Sequence, residues 1–100
     1  MIISKTLNTS KSISIALDEL INGLGIKRKL QEYDAVVYWD IIVGAQIAKV
    51  TTATQIKKGV LRIKVKTSTW RNELTIRKKE IIERLNNYLG TEIVNDIKFQ

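Results

Sequence analysis

The 100-residue sequence contains no cysteine, no histidine and no proline. Without cysteine there is no disulfide and no thiolate metal site, and nothing points to secretion. Without histidine the commonest metal ligand and general base is missing. The usual Ser-His-Asp and Cys-His constellations are therefore excluded. No glycine-rich GxxxxGK[ST] phosphate loop is present. Asp18 and Glu19, or Asp34 and Asp40, are carboxylates without a convincing catalytic partner. The sequence reads as non-enzymatic, with no cofactor, no metal and no small-molecule substrate. No apolar run approaches the length of a membrane span. The opening MIISKTLNTSKS lacks the apolar core of a signal peptide. A cytoplasmic protein with no membrane partner is expected.

What the sequence does have is positive charge in one place. The net charge is +7, from 17 basic and 10 acidic residues. Ten of the bases lie between Lys49 and Lys79, where Glu73 is the one acid, and no acid occurs in residues 41–72. Clustered basic charge points to an anionic partner, most often nucleic acid.

The apolar pattern organises one α+β domain over residues 12–100, after a flexible N-terminus at 1–11. Ile13, Ala16, Leu17, Leu20 and Ile21 recur at helical spacing over 12–22, with Ser12 as cap and Gly23 and Gly25 as stops. A second helix is expected over 26–43, where Leu30, Tyr33, Val37 and Ile41 recur at three- and four-residue steps and Gly44 ends it. The period then falls to two. Strands are expected at 47–57 and 60–66 around a Lys58-Gly59 hairpin loop. In that register Gln55 faces Arg62, Ala53 faces Lys64 and Thr51 faces Lys66. A helix over 69–89, capped by Ser68 or Thr69, carries the stripe Trp70, Leu74, Ile81, Leu85 and Tyr88, widened by Ile82 and Leu89. A last strand is expected over 92–99. The order ααββαβ suggests a small sheet with its helices on one face. The other face is then open.

The segment LRIKVK (61–66) makes that open face basic. Leu61, Ile63 and Val65 point one way; Arg62, Lys64 and Lys66 point the other. An ordinary solvated face sets acids opposite bases, because unlike cross-strand charges attract. Here the expected opposite residues are Gln, Ala and Thr. Two readings stand: lysines that block edge-to-edge pairing, or a phosphate-binding surface. On the second, Arg62, Lys64 and Lys66 with Lys57 and Lys58 contact phosphates, aided by Arg71, Lys78 and Lys79. Ser68 adds a hydroxyl at a helix start, which either caps the helix or helps bind an anion. Lys78 falls inside the apolar stripe and either snorkels or marks a ligand gap. Arg77 and Arg84 have i,i+4 partners in Glu73 and Glu80. Trp39 and Trp70 are either core residues or base-stacking platforms.

Four segments in order carry a resemblance: WDIIVG (39–44), KGVLRIKVKTSTWRNEL (58–74), LNNYLG (85–90) and IVNDIKF (93–99). Together they resemble the DciA family of bacterial proteins, over roughly residues 12–99. The resemblance implies a K-homology-like fold, DNA binding, and assistance in loading the replicative helicase. Many family members carry a disordered extension thought to engage the helicase; this sequence ends at Gln100 and reads as a short form. The GxxG loop of RNA-binding K-homology domains is absent, so their cleft is not carried over. Two alternatives to DNA binding remain: a protein-interaction module that docks an acidic partner, and an RNA-binding domain.

Overall fold

The computed structural model describes residues 13–20, 23 and 25–100. The expected cap Ser12 and the stripe residue Ile21 lie outside them. The elements are α1 (13–20), α2 (Ile26–Val37), α3 (Trp39–Val43), α4 (Ala45–Ala48), β1 (Thr51–Lys57), β2 (Val60–Val65), α5 (Ser68–Ile76), α6 (Lys78–Leu89) and β3 (Asp96–Phe99). The class is α+β, with helices and a three-stranded mixed sheet in the order β1-β2-β3.

Both long helices expected from periodicity are divided. Tyr38 (φ −98°, ψ 7°) breaks the first into α2 and α3, and Arg77 (φ −91°, ψ 6°) separates α5 from α6. A straight helix over 69–89 would be about 30 Å long. That exceeds strands of this length, roughly 20 Å, and the break lets both halves follow the sheet. Gly23 is helical rather than a stop, and Gly25 takes the left-handed conformation ahead of α2. Residues 45–48, half assigned to a strand by period, form the short helix α4 after Gly44.

The apolar stripe of α2 does not face the core. The recurring apolar residues Leu30, Tyr33, Val37 and Ile41 are exposed. The residues buried from this stretch are Ala35, Trp39, Ile42 and Val43. Helical spacing identifies an apolar face; it does not say what covers that face. Leu61, Ile63, Val65, Leu74, Ile81, Leu85, Val94 and Ile97 complete the main cluster with Ile47. Trp70, Ile82 and Leu89 pack on it, while Tyr88 is exposed and lies 5.8 Å from Tyr38, ring centre to ring centre.

The hairpin forms around Lys58-Gly59, with φ of 52° and 79°, the mirror-image turn that matches strand twist. The pairs Lys57–Val60, Ile56–Leu61 and Gln55–Arg62 form as expected. A bulge at Thr54 then shifts the register, so Ala53 faces Ile63, Thr52 faces Lys64 and Thr51 faces Val65. The Thr54 hydroxyl donates to the Arg62 carbonyl at 3.1 Å. This correction moves Thr51 and Ala53 inward and Thr52 outward.

The last strand is shorter than alternation suggests. Asn86 holds its approach: Oδ1 accepts from the Ile93 and Val94 amides (3.0 and 2.9 Å), and Nδ2 donates to the Val94 carbonyl (2.9 Å). Those backbone groups are thereby taken from any ladder. β3 pairs in parallel with β2 from Asp96 onward, setting Ile97 beside Leu61 and Lys98 beside Arg62.

Gly59 joins these pieces. Its amide donates to Glu32 Oε2 of α2 (2.9 Å), and its carbonyl accepts from the Asn95 and Asp96 amides (2.8 and 3.2 Å). A side chain here would meet the Asn95 side-chain amide and would require a positive φ. Gly59→Ala is expected to cost about 2 kcal/mol. In a domain of this size that lowers Tm by roughly 8–16 °C. An unchanged Tm in a thermal melt would refute the need for glycine.

Candidate nucleic-acid interface

Alternation in β2 buries Leu61, Ile63 and Val65 under the helices and turns Arg62 and Lys64 outward; Lys66 follows at the strand end. Lys64 and Lys66 are exposed, while Arg62 on the central strand is half-buried between its neighbours. The residues paired with them across β1 are Gln55 and Thr52. Parallel pairing adds Lys98 beside Arg62. Sequence reasoning missed Lys98; it sits in the Ile97-Lys98-Phe99 alternation, but nothing local tells which strand it borders. No cross-strand partner of Arg62, Lys64 or Lys98 is acidic.

Asp96 is the acid at the edge of this face, and it is engaged. Its carboxylate Oδ1 lies 3.2 Å from Lys78 Nζ. Partial burial raises its pKa. The Lys78 ammonium, the Ile97 amide and the charge of Lys98 outweigh that and hold it below the usual carboxylate value. Lys78 thus has an ion-pair partner at the start of α6. The adjacent Lys79 is exposed, and both residues stand on the first turn of α6.

The remaining expected residues form two further groups. Thr67, rather than Ser68 or Thr69, caps α5: its Oγ1 accepts from the Trp70 amide at 3.2 Å. Ser68 is exposed in the first turn, and Glu73 lies beyond it. Arg71 is half-buried, with its Nε shielded from solvent and without a hydrogen-bond partner. Lys57 and Lys58 sit at the hairpin tip and line a groove of about 770 Å³ between α2 and β1. Arg28 and Lys29 line the same groove, over apolar Tyr33, Val36 and Ile56. These two α2 bases lie outside the basic run of residues 49–79, which is why charge counting passed over them.

The tryptophans belong to the fold. Trp39 is fully buried, and its Nε1 donates to Thr51 Oγ1 at 2.9 Å. Trp70 packs half-buried on the core. Arg77 pairs with Glu73 at 2.8 Å, and Arg84 approaches Glu80 at 3.9 Å, so both helix-face pairs form on the exposed side of α5 and α6. Among the described residues no helix is long and apolar enough to cross a membrane.

An UPF0232 protein of Mycobacterium ulcerans is 30% identical over 60 residues, which cover 60% of this chain and 32% of that protein. One of Mycobacterium tuberculosis strain H37Rv is 25% identical over 83 residues, 83% of this chain and 44% of that protein. One of Mycolicibacterium smegmatis is 24% identical over 80 residues, 80% of this chain and 41% of that protein. The chain thus spans about a third to somewhat under half of the length of these curated relatives. The profile of the family described as "Dna[CI] antecedent, DciA" matches residues 12–99. That span runs from the first helix through the basic hairpin to the closing strand, and on it the chain belongs to the DciA family.

Proposed function

We propose that this chain is a non-enzymatic nucleic-acid-binding domain, with DNA as its ligand, that serves loading or recruitment of the bacterial replicative helicase. The observation that carries the reading is the outer sheet face. Arg62, Lys64 and Lys98 lie on adjacent strands with Lys66 at the end of β2, and their cross-strand neighbours carry no acid to neutralise them. Basic side chains arranged this way meet phosphates, which fix position and carry little sequence information. Weak sequence preference and strong salt dependence follow. The helicase part of the proposal rests on membership of the DciA family.

Fluorescence anisotropy with labelled single-stranded DNA, duplex DNA and single-stranded RNA over a salt series tests the nucleic-acid reading. Four phosphate contacts give a log–log slope of about −2.8 on single strands and about −3.6 on duplex. No binding at low salt would overturn the proposal. Preference for ribose strands would replace DNA with RNA. Recovery of purified helicase on the immobilised chain after nuclease treatment tests the helicase part, and its absence would remove that part alone.

A further inference from the structure

The helix α2 is inverted with respect to its own hydrophobicity. Its small Ala35 is fully buried against the core, while the large Leu30 and Tyr33 are 55% and 64% exposed. Ile26, Leu30, Tyr33 and Val37 recur at three- and four-residue steps, so they form one outward stripe. The helix α1 repeats the pattern. Ile13, Leu17 and Leu20 lie on one face at the same spacing, and every residue from 13 to 20 is exposed. Among the described residues, nothing covers these two apolar stripes. Exposed apolar surface on this scale marks a contact site.

We infer that a second copy of this chain covers both stripes, with α1 of each copy seated on the outward face of α2 of the other. Charge and coverage together select this pairing over like-with-like contacts. α1 carries Asp18 and Glu19 and no base between residues 13 and 20; the first turn of α2 carries Lys27, Arg28 and Lys29. Crossing α1 onto the partner's α2 sets acid beside base. Pairing α1 with α1 sets like charges together and is disfavoured; pairing α2 with α2, which carries Glu32 and Asp34 beside its three bases, leaves both copies of α1 uncovered. Area agrees with a stable pair. A half-exposed large apolar side chain offers on the order of 80 Å², and a two-fold contact uses each stripe twice. An eight-residue α1 is about 12 Å long and meets about three residues of the partner's stripe, so the total is on the order of 1,000 Å², at the lower end of specific interfaces. The inference does not depend on nucleic-acid binding.

Sedimentation equilibrium of the full chain over a concentration series is expected to give twice the 11.4 kDa chain mass at micromolar concentration. Leu17→Glu or Leu30→Glu, both at exposed positions, is expected to return the chain to monomer with its circular dichroism spectrum and Tm retained. The absence of native cysteine makes the partner contact readable. Leu17→Cys and Leu30→Cys chains, mixed and oxidised, are expected to yield mainly the heterodisulfide. A monomer throughout the series would overturn the inference. So would an intramolecular disulfide at monomer mass in the Leu17→Cys/Leu30→Cys double variant, which would place α1 on α2 of its own chain. Predominance of Leu17→Cys homodimers would overturn the crossed pairing.

Discussion

Trp39→Ala is expected to lower the unfolding free energy by about 3–5 kcal/mol, the usual cost of emptying a buried tryptophan site. A domain of this size has about 5–15 kcal/mol in total, so this one change uses up a large share of the margin. The position explains the magnitude. Trp39 opens α3 and is fully buried, in one cluster with Ala35 of α2, Ile47 of α4 and Ile63 of β2. Its Nε1 donates to Thr51 Oγ1 (2.9 Å), and that hydroxyl donates to the Ile47 carbonyl (2.8 Å). The indole therefore ties α3 to the first residue of β1 through a chain that ends on α4. Trp39→Phe keeps most of the volume and removes one hydrogen bond, so about 1–2 kcal/mol is expected. Thr51→Val leaves the buried indole N–H unpaired and is expected to cost about 1–3 kcal/mol. Urea unfolding of the two single variants and the Trp39→Phe/Thr51→Val double variant measures the coupling. Additive losses would mean that the 2.9 Å contact contributes nothing. A loss below 1 kcal/mol in Trp39→Ala would contradict the core assignment itself.

The same hydrogen bond shows where sequence reasoning stopped. Alternation in Val60–Val65 was legible because a strand covered on one side writes its two faces directly into its residues. The Lys58-Gly59 turn was legible because glycine and a two-residue loop suit that geometry. Nothing in TTATQIK marks Thr54 as an extra residue. Without the bulge Thr51 would point outward, and the Trp39 N–H would have no hydroxyl to meet. The register follows from a buried partner 12 residues away, which local pattern cannot see.

Burial direction in the helices was hidden for a similar reason. Periodicity placed Leu30, Tyr33 and Val37 on one face of α2, and they do share a face. It could not show that the opposite side, with Ala35, is the one that packs. The break at Tyr38 decides this by turning Trp39, Ile42 and Val43 into the core. Of the candidate site, the bases on LRIKVK were readable and the arrangement around them was not. Lys98 comes beside Arg62 only through parallel pairing, and Lys78 meets Asp96, at the start of the same strand, at 3.2 Å. Both outcomes depend on contacts between residues far apart in the chain.

Replacing Arg62, Lys64 and Lys66 together with glutamine is expected to weaken DNA binding on the order of 100-fold at low salt. Roughly 1 kcal/mol per phosphate contact gives that figure for three contacts. The salt slope should fall in magnitude by about 2.1 on single strands and about 2.7 on duplex. The fold should survive. All three side chains belong to the outer side of the hairpin, and among the described residues none takes part in an ion pair. Glutamine keeps the polar character of that face, and the buried alternates Leu61, Ile63 and Val65 are untouched. Adding Lys98→Gln should take off roughly one further contact, a slope change of about 0.7 on single strands. Lys79→Gln removes the same charge from the helical layer, so its effect should stay below about threefold. This contrast separates a located surface from a general effect of net charge. If Lys79→Gln weakens binding as much as Lys64→Gln does alone, the attraction is diffuse and no face is special. If the triple variant binds with unchanged affinity and slope, the outer sheet face is a solvated surface. The phosphates would then have to meet the other basic group, Arg28, Lys29, Lys57 and Lys58 around the α2–β1 groove.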